Sequence, residues 1–194
     1  MKNIDQLAIS FISVAVISFA SCVNNNSQDT GSAQSFDSAA MMNKTNRIAQ
    51  NDSQAVVNAY TGSLLEKCLS DSVAAHTNNN DVKSLASFMS DAHAKINDQL
   101  KTLAGNDSIN LPQGLSADDS SKIAKLVGKS PEKMDKDYAD KMVSDHRDAI
   151  AMYTKYSTGC SDSTIRKWFT DGLPVLQKHL DMSIDVKNKL ETMK

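Results

Sequence analysis

Three histidines and one glutamate are the residues of this chain best suited to chemistry, because each falls on or beside the apolar side of a predicted helix. They are Glu66, His93, His146 and His179. Neutral imidazole nitrogens and carboxylate oxygens bind first-row metals such as Zn and Fe. With a rise of about 1.5 Å per residue, Glu66 and His93 lie at similar distances from the turn between their helices. A mononuclear site for Zn or Fe is therefore one interpretation of these four residues.

Structural packing is the second interpretation of the same residues. A buried histidine can be satisfied by a carbonyl and a carboxylate of neighbouring helices, which gives a polar layer without a metal. His179 reaches the level of the other histidines only if a bend near Pro174 shortens its path. The sequence alone favours packing over metal binding.

A di-iron centre of the ferritin type is excluded by the ligand count. Such a centre needs Glu-x-x-His on two helices and one glutamate from each of the other two. Glutamate occurs in this chain only at positions 66, 132 and 191. The residues three positions before the helix histidines are Ser90, Val143 and Leu176, so no Glu-x-x-His motif exists.

Motifs of the common enzyme classes are absent from the sequence. It contains no phosphate-binding glycine loop, no Gly-x-Ser-x-Gly, no His-Glu-x-x-His and no paired Cys-x-x-Cys. The net charge of −2 and the pI of about 6.1 provide no basic field for nucleic acid. These observations favour a non-enzymatic role without a nucleic-acid partner, and they establish no cofactor.

The elements that must position the four side chains are amphipathic helices. Apolar residues recur at steps of three and four, which predicts long helices over about 54–76, 82–104, 131–158 and 163–193 and a short one over 116–127. The expected N-terminal caps are Asp52 or Ser53, Asn80 or Asp81, Ser116 and Ser130, and the expected stops are Gly105, Gly128 and Gly159. Pro174, which follows Gly172, should bend or break the last helix. The pattern predicts an all-α four-helix bundle with a short extra helix between the second and third long helices.

The N-terminus is typical of a lipoprotein signal peptide over residues 1–21. Lys2 is followed by an apolar run from Leu7 to Ala20, which is too short to span a bilayer, and then by Cys22. Cys22 would become the acylated first residue and hold the chain to a membrane by lipid. Two alternatives stay open at this point, an ordinary secretory signal and an uncleaved anchor.

The segment after the signal peptide is predicted to be a tether. Residues 22–51 are rich in Asn, Ser, Gln and Asp, and such a segment buries too little apolar surface to fold. The bundle would then occupy residues 52–194. Cys68 lies within a helical pattern and Cys160 in a turn. An oxidising compartment would permit a bridge between them, but the spacing does not require one, and we expect two separate thiols.

Three stretches of the chain resemble the DUF4142 family of bacterial envelope proteins. They are Val82–Leu100, Met142–His146 and Leu173–Leu180, and the resemblance covers about residues 52–187. It implies a ferritin-like four-helix bundle and no established activity. The recurrent positions of the family fall on Glu66, Asp91, His93, Asp145, His146 and His179. Ala92 and Cys68 replace acidic residues that are frequent in the family, which removes two potential ligands.

Together these inferences predict a lipid-anchored protein of the cell envelope, attached to the outer membrane and facing the periplasm. Its expected role is non-enzymatic, in envelope stress or as an interaction module. The alternative is a mononuclear metal protein that uses Glu66, His93, His146 and His179 for storage, sensing or weak redox chemistry.

Overall fold

The computed structural model describes residues 36–43 and 49–192 of the chain. All regular structure in these residues is helical, which confirms the predicted all-α class. Six helices occur in the described ranges: α1 (Phe36–Met42), α2 (Gln50–His76), α3 (Asn80–Asn106), α4 (Ala117–Val127), α5 (Pro131–Gly159) and α6 (Ser163–Thr192). Among them, no helix is both long and apolar enough to cross a membrane.

The four long helices contact one another in two close pairs. Helix α2 packs along α3, and α5 packs along α6. The pairs meet less extensively, through α2 against α5 and α3 against α6, while the short α4 contacts α2 and α5. The looser contact between the pairs leaves a groove on two sides of the interior.

Two apolar clusters fill the interior, one toward each end of the long helices. One cluster contains Leu69, Met89, Tyr138, Met142 and Val186. The other contains Tyr60, Leu100, Tyr153, Phe169 and Leu176. The four candidate site residues lie between these clusters along their helices, so they form a polar layer at mid-height.

Several predicted helix ends are confirmed. Ser116 precedes α4 and accepts a hydrogen bond from the Asp119 amide at 3.0 Å, and Gly128 follows the helix. Pro131 is the first residue of α5, directly after Ser130. The fixed φ of proline suits a first helical turn, where its missing donor costs nothing.

The predicted start of α2 at residue 54 is wrong, because α2 begins at Gln50. Asp52 lies within its first turn and does not cap it. Its carboxylate instead accepts hydrogen bonds from the amides of Ser161 at 2.9 Å and Asp162 at 2.7 Å, just before α6. Asp52 therefore joins the start of α2 to the start of α6.

The predicted cap of α3 is displaced by one residue. Asn79, rather than Asn80 or Asp81, accepts hydrogen bonds from the amides of Asp81 at 2.9 Å and Val82 at 3.1 Å. Gly105 lies inside the last turn of α3 instead of ending it. Both shifts are within one turn and leave the apolar face of α3 as predicted.

Pro174 does not break the last helix, so that part of the prediction is wrong. Helix α6 continues from Ser163 to Thr192 with Pro174 inside it. Proline leaves the carbonyl of Thr170 without its helical donor. Both residues are exposed, so water can satisfy that carbonyl.

Helix α1 lies inside the segment predicted as a tether, and it packs on α2. Ala39 and Asn43 are buried there. Asn43 accepts a hydrogen bond from the Asn110 amide at 2.8 Å and donates one to the Asn110 carbonyl at 3.0 Å. Residues 36–43 are therefore folded rather than flexible, which corrects the prediction for this part of 22–51. The signal peptide over 1–21 and Cys22 lie outside the described residues.

Cys160 is a buried free thiol in the described part of the chain. Cys160 therefore forms no disulfide with Cys68, as predicted, but Cys68 is itself disulfide-bonded, so the expectation of two separate thiols is wrong for Cys68. Burial and the nearby Asp52 carboxylate raise the pKa of the Cys160 thiol to about 11. The thiol is accordingly protonated and unreactive near neutral pH.

Candidate metal centre

The four predicted site residues meet in the polar layer, and each comes from a different long helix. Glu66 lies on α2, His93 on α3, His146 on α5 and His179 on α6, and none is more than 7% exposed. The first helix pair thus supplies a carboxylate and an imidazole, and the second pair supplies two imidazoles. We call these four residues the ligand cluster.

The atoms that could bind an ion converge on one point. Glu66 Oε2 lies 2.7 Å from His93 Nε2 and 3.4 Å from His146 Nε2, and His146 Nε2 lies 3.2 Å from His179 Nδ1. The ligand atoms of the three histidines are all within 4.8 Å of one another. A tetrahedral ion with bonds of about 2.0–2.1 Å separates its ligand atoms by about 3.3 Å. Most of these separations therefore match a four-coordinate site.

Two atoms of the ligand cluster lack the partners that buried polar atoms normally have. Glu66 Oε2 and His93 Nε2 are buried, and neither makes a hydrogen bond of acceptable geometry within the described residues, although they lie 2.7 Å apart. Buried polar atoms of this kind are rare unless a water, an ion or a function explains them.

A second shell of hydrogen-bonding groups contacts the Nδ1 atoms of His93 and His146, so that Nε2 of each of these two rings faces the centre. The Met142 carbonyl oxygen lies 2.8 Å from His146 Nδ1 and can only accept, so Nδ1 carries the proton. Ser63 Oγ lies 3.0 Å from His93 Nδ1 and donates to the His93 carbonyl oxygen at 3.3 Å. Its lone pair is then free to accept the Nδ1 proton. A ring with its only proton on Nδ1 presents the Nε2 lone pair to the centre, as a metal ligand must.

The electrostatics of the ligand cluster shift the pKa values of Glu66 and His179. Burial raises the pKa of Glu66, but the imidazoles of His93, His146 and His179 together lower it by a larger amount. The net effect is a Glu66 pKa below its usual value. Burial, followed by the neighbouring His93 and His146, lowers the pKa of His179 to about 3. At neutral pH the carboxylate is charged and the His179 ring is neutral, which are the forms that bind metal ions.

Solvent reaches the ligand cluster from the side between α2 and α5. A cavity of about 300 Å³ there is lined by Glu66 and His93 and by the acidic residues Asp145 and Asp148. Lys141 pairs with Asp145 at 2.8 Å. Burial raises the pKa of Asp145, although the Lys141 ammonium opposes that shift. This cavity provides a short path for a cation to the Glu66 carboxylate.

The two motif aspartates do not join the ligand cluster. Asp91 is exposed, and Asp145 is paired with Lys141. Ser63, whose hydroxyl contacts His93 Nδ1, is the residue beside the ligand cluster that was not predicted from the sequence. It lies one helical turn before Glu66 on α2, and that spacing of three residues was the available signal.

The described part of the chain is thus an all-helical protein whose long helices enclose a layer of three histidines and one glutamate. The chain belongs to the DUF4142 family, described as a domain of unknown function, which it matches over residues 37–186. The resemblance seen in the sequence is therefore confirmed. No curated protein and no solved structure shows a significant match to the chain.

Proposed function

We propose that this chain is a ferritin-like four-helix bundle that holds a single first-row metal ion in the ligand cluster. Support for the bundle comes from the pairing of α2 with α3 and of α5 with α6, with further contacts that close the four helices around one interior. A ferritin-like arrangement places metal ligands on facing helices in the bundle core. Here the donor set of three imidazoles and one carboxylate suits one ion rather than two.

The observation that carries the proposal is the contact between Glu66 Oε2 and His93 Nε2. With the His93 proton on Nδ1, toward Ser63, both atoms present lone pairs across 2.7 Å. Two facing lone pairs repel in a buried site, where solvent screening is weak. A cation between them converts the repulsion into two favourable contacts.

The chemistry of the donors favours Zn²⁺ or Fe²⁺ as the ion. Imidazole and carboxylate suit both metals, and the ligand spacing suits a four-coordinate geometry. A bound ion would supply Lewis acidity in the case of Zn²⁺ and one-electron chemistry in the case of Fe²⁺. Four protein ligands leave no open position in a tetrahedral site, which favours storage, sensing or structural support over turnover.

The competing function is a non-enzymatic interaction or stress-response module in which the same residues form a metal-free polar layer. The contact between His146 Nε2 and His179 Nδ1 at 3.2 Å fits either function, because a proton on His179 Nδ1 can satisfy it. The Glu66–His93 contact favours the metal when the His93 proton lies on Nδ1, whereas a proton on Nε2 would let His93 donate to Glu66 and would fit the metal-free layer.

Metal content tests the proposal directly. The full-length chain, purified without a histidine tag, should contain about one Zn or Fe per molecule by elemental mass spectrometry. The double variant His93→Ala, His146→Ala should lose that metal. His76→Ala is the matched control, because His76 is the exposed fourth histidine and contacts the Ser72 carbonyl of its own helix, outside the ligand cluster.

Thermal unfolding provides a second measurement that does not depend on the double variant folding well. An ion at 100 times its dissociation constant stabilises the native state by about 2.7 kcal/mol. For a chain of this size that corresponds to a rise of about 5–10 °C in melting temperature. A metal-free wild-type protein whose melting temperature does not change when Zn²⁺ or Fe²⁺ is added would exclude the proposed function.

We also propose that the chain is anchored to the outer membrane by lipid on Cys22 and that the bundle faces the periplasm. The support is the sequence of residues 1–22, with Lys2, an apolar run and a cysteine after small residues. Acyl chains stabilise membrane attachment by about 0.8 kcal/mol per buried CH₂. The anchor and the ligand cluster are independent proposals, since neither requires the other.

A further inference from the structure

A larger groove lies on the opposite side of the interior, between α3 and α6. We call it the α3–α6 groove; its volume is about 780 Å³. Pockets of about 300–1,000 Å³ are typical of small-molecule sites. Of the ligand cluster, His179 contributes to its wall.

Most of the wall of the α3–α6 groove is apolar. Its apolar side chains include Phe88, Ile96, Trp168, Val175 and Leu176. Val175 is 44% exposed and is one of the few large apolar side chains with that exposure in the described residues. An open apolar surface beside polar residues is characteristic of a binding surface rather than of packing.

The floor of the groove is held in place by an unusually close contact. A Cβ atom on Gly172 would lie 2.7 Å from Tyr153 Cε1, so only glycine lets the Tyr153 ring approach the α6 backbone this closely. The ring also packs edge-on against Phe169 at 4.9 Å. The Tyr153 ring therefore forms a closely packed floor to the groove.

Two lysines on opposite walls give the groove a positive rim. Lys95 lies on α3 and Lys178 on α6, and the Lys178 ammonium lies over the Phe88 ring of the groove wall, 5.5 Å from its centroid. Of the two aspartates in the wall, Asp171 is neutralised by Lys167 at 2.8 Å, which leaves Asp91. Two lysines against one aspartate leave an excess of positive charge beside an apolar surface.

We infer that the α3–α6 groove binds an amphiphilic carboxylate, with its apolar body along the groove wall and its carboxylate paired with Lys95 and Lys178. The apolar wall favours an alkyl or aromatic body, and the lysine rim selects an anionic head over a cationic one. This inference goes beyond the proposed metal site and does not depend on it, because the lysines and the apolar wall lie outside the ligand cluster.

The chain carries its own reporter for this site. Trp168 is the only tryptophan in the sequence, and it lines the groove. Decanoate, added below its micelle concentration to the full-length protein, should change the Trp168 emission with a saturable, single-site curve. Decyltrimethylammonium, which has the same alkyl chain and the opposite charge, should bind at least fivefold more weakly. Equal affinity for the two probes would overturn the inference.

Two variants test the location of the site. Lys95→Gln with Lys178→Gln should weaken decanoate binding about fivefold. Its matched control is Lys83→Gln with Lys125→Gln, which removes the same charge from exposed positions outside the groove and should leave the affinity unchanged. Equal losses in the two double variants would mean that the attraction is non-specific and would contradict the inference.

A third test of the inference fills the groove with a larger side chain. Ala92→Phe places a ring into the groove from α3, where Ala92 is half-buried, and should abolish the decanoate response. Metal content, measured on the same sample, should stay unchanged, so a failure of this inference is distinguishable from a failure of the metal site. Undiminished decanoate binding by Ala92→Phe would locate the probe elsewhere and reject the groove.

Discussion

The orientation of the His93 ring depends on one hydroxyl group. Ser63 is 6% exposed, and its Oγ lies 3.0 Å from His93 Nδ1. Second-shell partners of this kind fix the ring and tautomer of a metal-binding histidine, and they raise its basicity. Ser63 is therefore a positioning residue for the proposed site, although it does not contact the ion position itself.

Replacing Ser63 by Ala should weaken Zn²⁺ binding by about 10–100-fold and leave the helical content unchanged. The affinity is measured by competition with a chromogenic chelator. Ser70→Ala is the control, because Ser70 is also buried on α2 but its hydroxyl bonds Tyr138 at 2.9 Å and no ligand. If both variants bind Zn²⁺ as tightly as the wild type, Ser63 has no positioning role.

Asp135 is a buried carboxylate that lowers stability at neutral pH. It is 5% exposed, its Oδ1 has no hydrogen-bond partner in the described residues, and burial raises its pKa despite the Thr77 hydroxyl. The unfolded chain therefore loses this proton at lower pH than the folded chain, and stability falls as the pH rises from 3.8 through the folded pKa.

The variant Asp135→Asn should raise the melting temperature at pH 7, and the gain should shrink as the pH approaches 4. The control Asp137→Asn should lower the melting temperature at pH 7, since the Lys129 ammonium 2.6 Å away lowers the pKa of Asp137 and so stabilises the folded state when Asp137 is charged. Thermal melts of both variants across this pH range check the two signs. A gain for Asp135→Asn that does not change with pH would contradict the electrostatic explanation.

At the scale of single helices, the type and extent of each element follow from local patterns in the sequence. The cap at Ser116, the start of α5 after Ser130 and the stop at Gly128 depend on neighbours within one turn, and they were predictable, although the Ser130 side chain makes no capping hydrogen bond. The start of α2 was not, because Asp52 bonds amides 109 and 110 residues away. No local pattern contains that contact.

The ligand cluster was also only partly predictable from the sequence. The shared height of Glu66, His93 and His146 follows from the rise per residue. The orientation of the rings does not, because it depends on the Ser63 hydroxyl and on the Met142 carbonyl. The sequence therefore favoured packing, and the structure supplied the contact between Glu66 and His93 that supports a metal.

Gly172 of α6 is a position where alanine should destabilise the protein, contrary to the usual helix propensities. Alanine is normally better than glycine in a helix by about 1 kcal/mol. Gly172→Ala should nevertheless lower the melting temperature, because its Cβ would lie 2.7 Å from the packed Tyr153 ring. Gly62→Ala is the matched control on α2, where no described atom outside the local helix lies within 4 Å of the added Cβ, and it should stabilise the protein. Stabilisation by both changes would show that the Tyr153 ring moves freely.

At the scale of the whole molecule, the two helix pairs have different relations to the ends of the chain. The N-terminal segment leads into α1 and α2, and α1 packs on α2 near Asn110. An anchor at Cys22 would therefore hold the molecule through the first pair, with residues 23–35 between the lipid and α1.

The variant Cys22→Ala should move the protein from the membrane fraction to the soluble fraction of fractionated cells, because it removes the acylated residue. Cys160→Ala is the control, since it changes a thiol of the folded part and should leave the protein in the membrane fraction. Membrane retention by Cys22→Ala would show that lipid on this cysteine is not the anchor.

The division of the ligand cluster between the helix pairs, two ligands from each, has a consequence for biogenesis. Neither pair alone offers more than two donors, so a half-finished chain cannot compete well for an ion. If the proposed site binds an ion, uptake would wait until both hairpins have docked, and a loaded molecule would be one that has completed its folding. The ion would then join the α2–α3 pair to the α5–α6 pair as one of the last steps of folding.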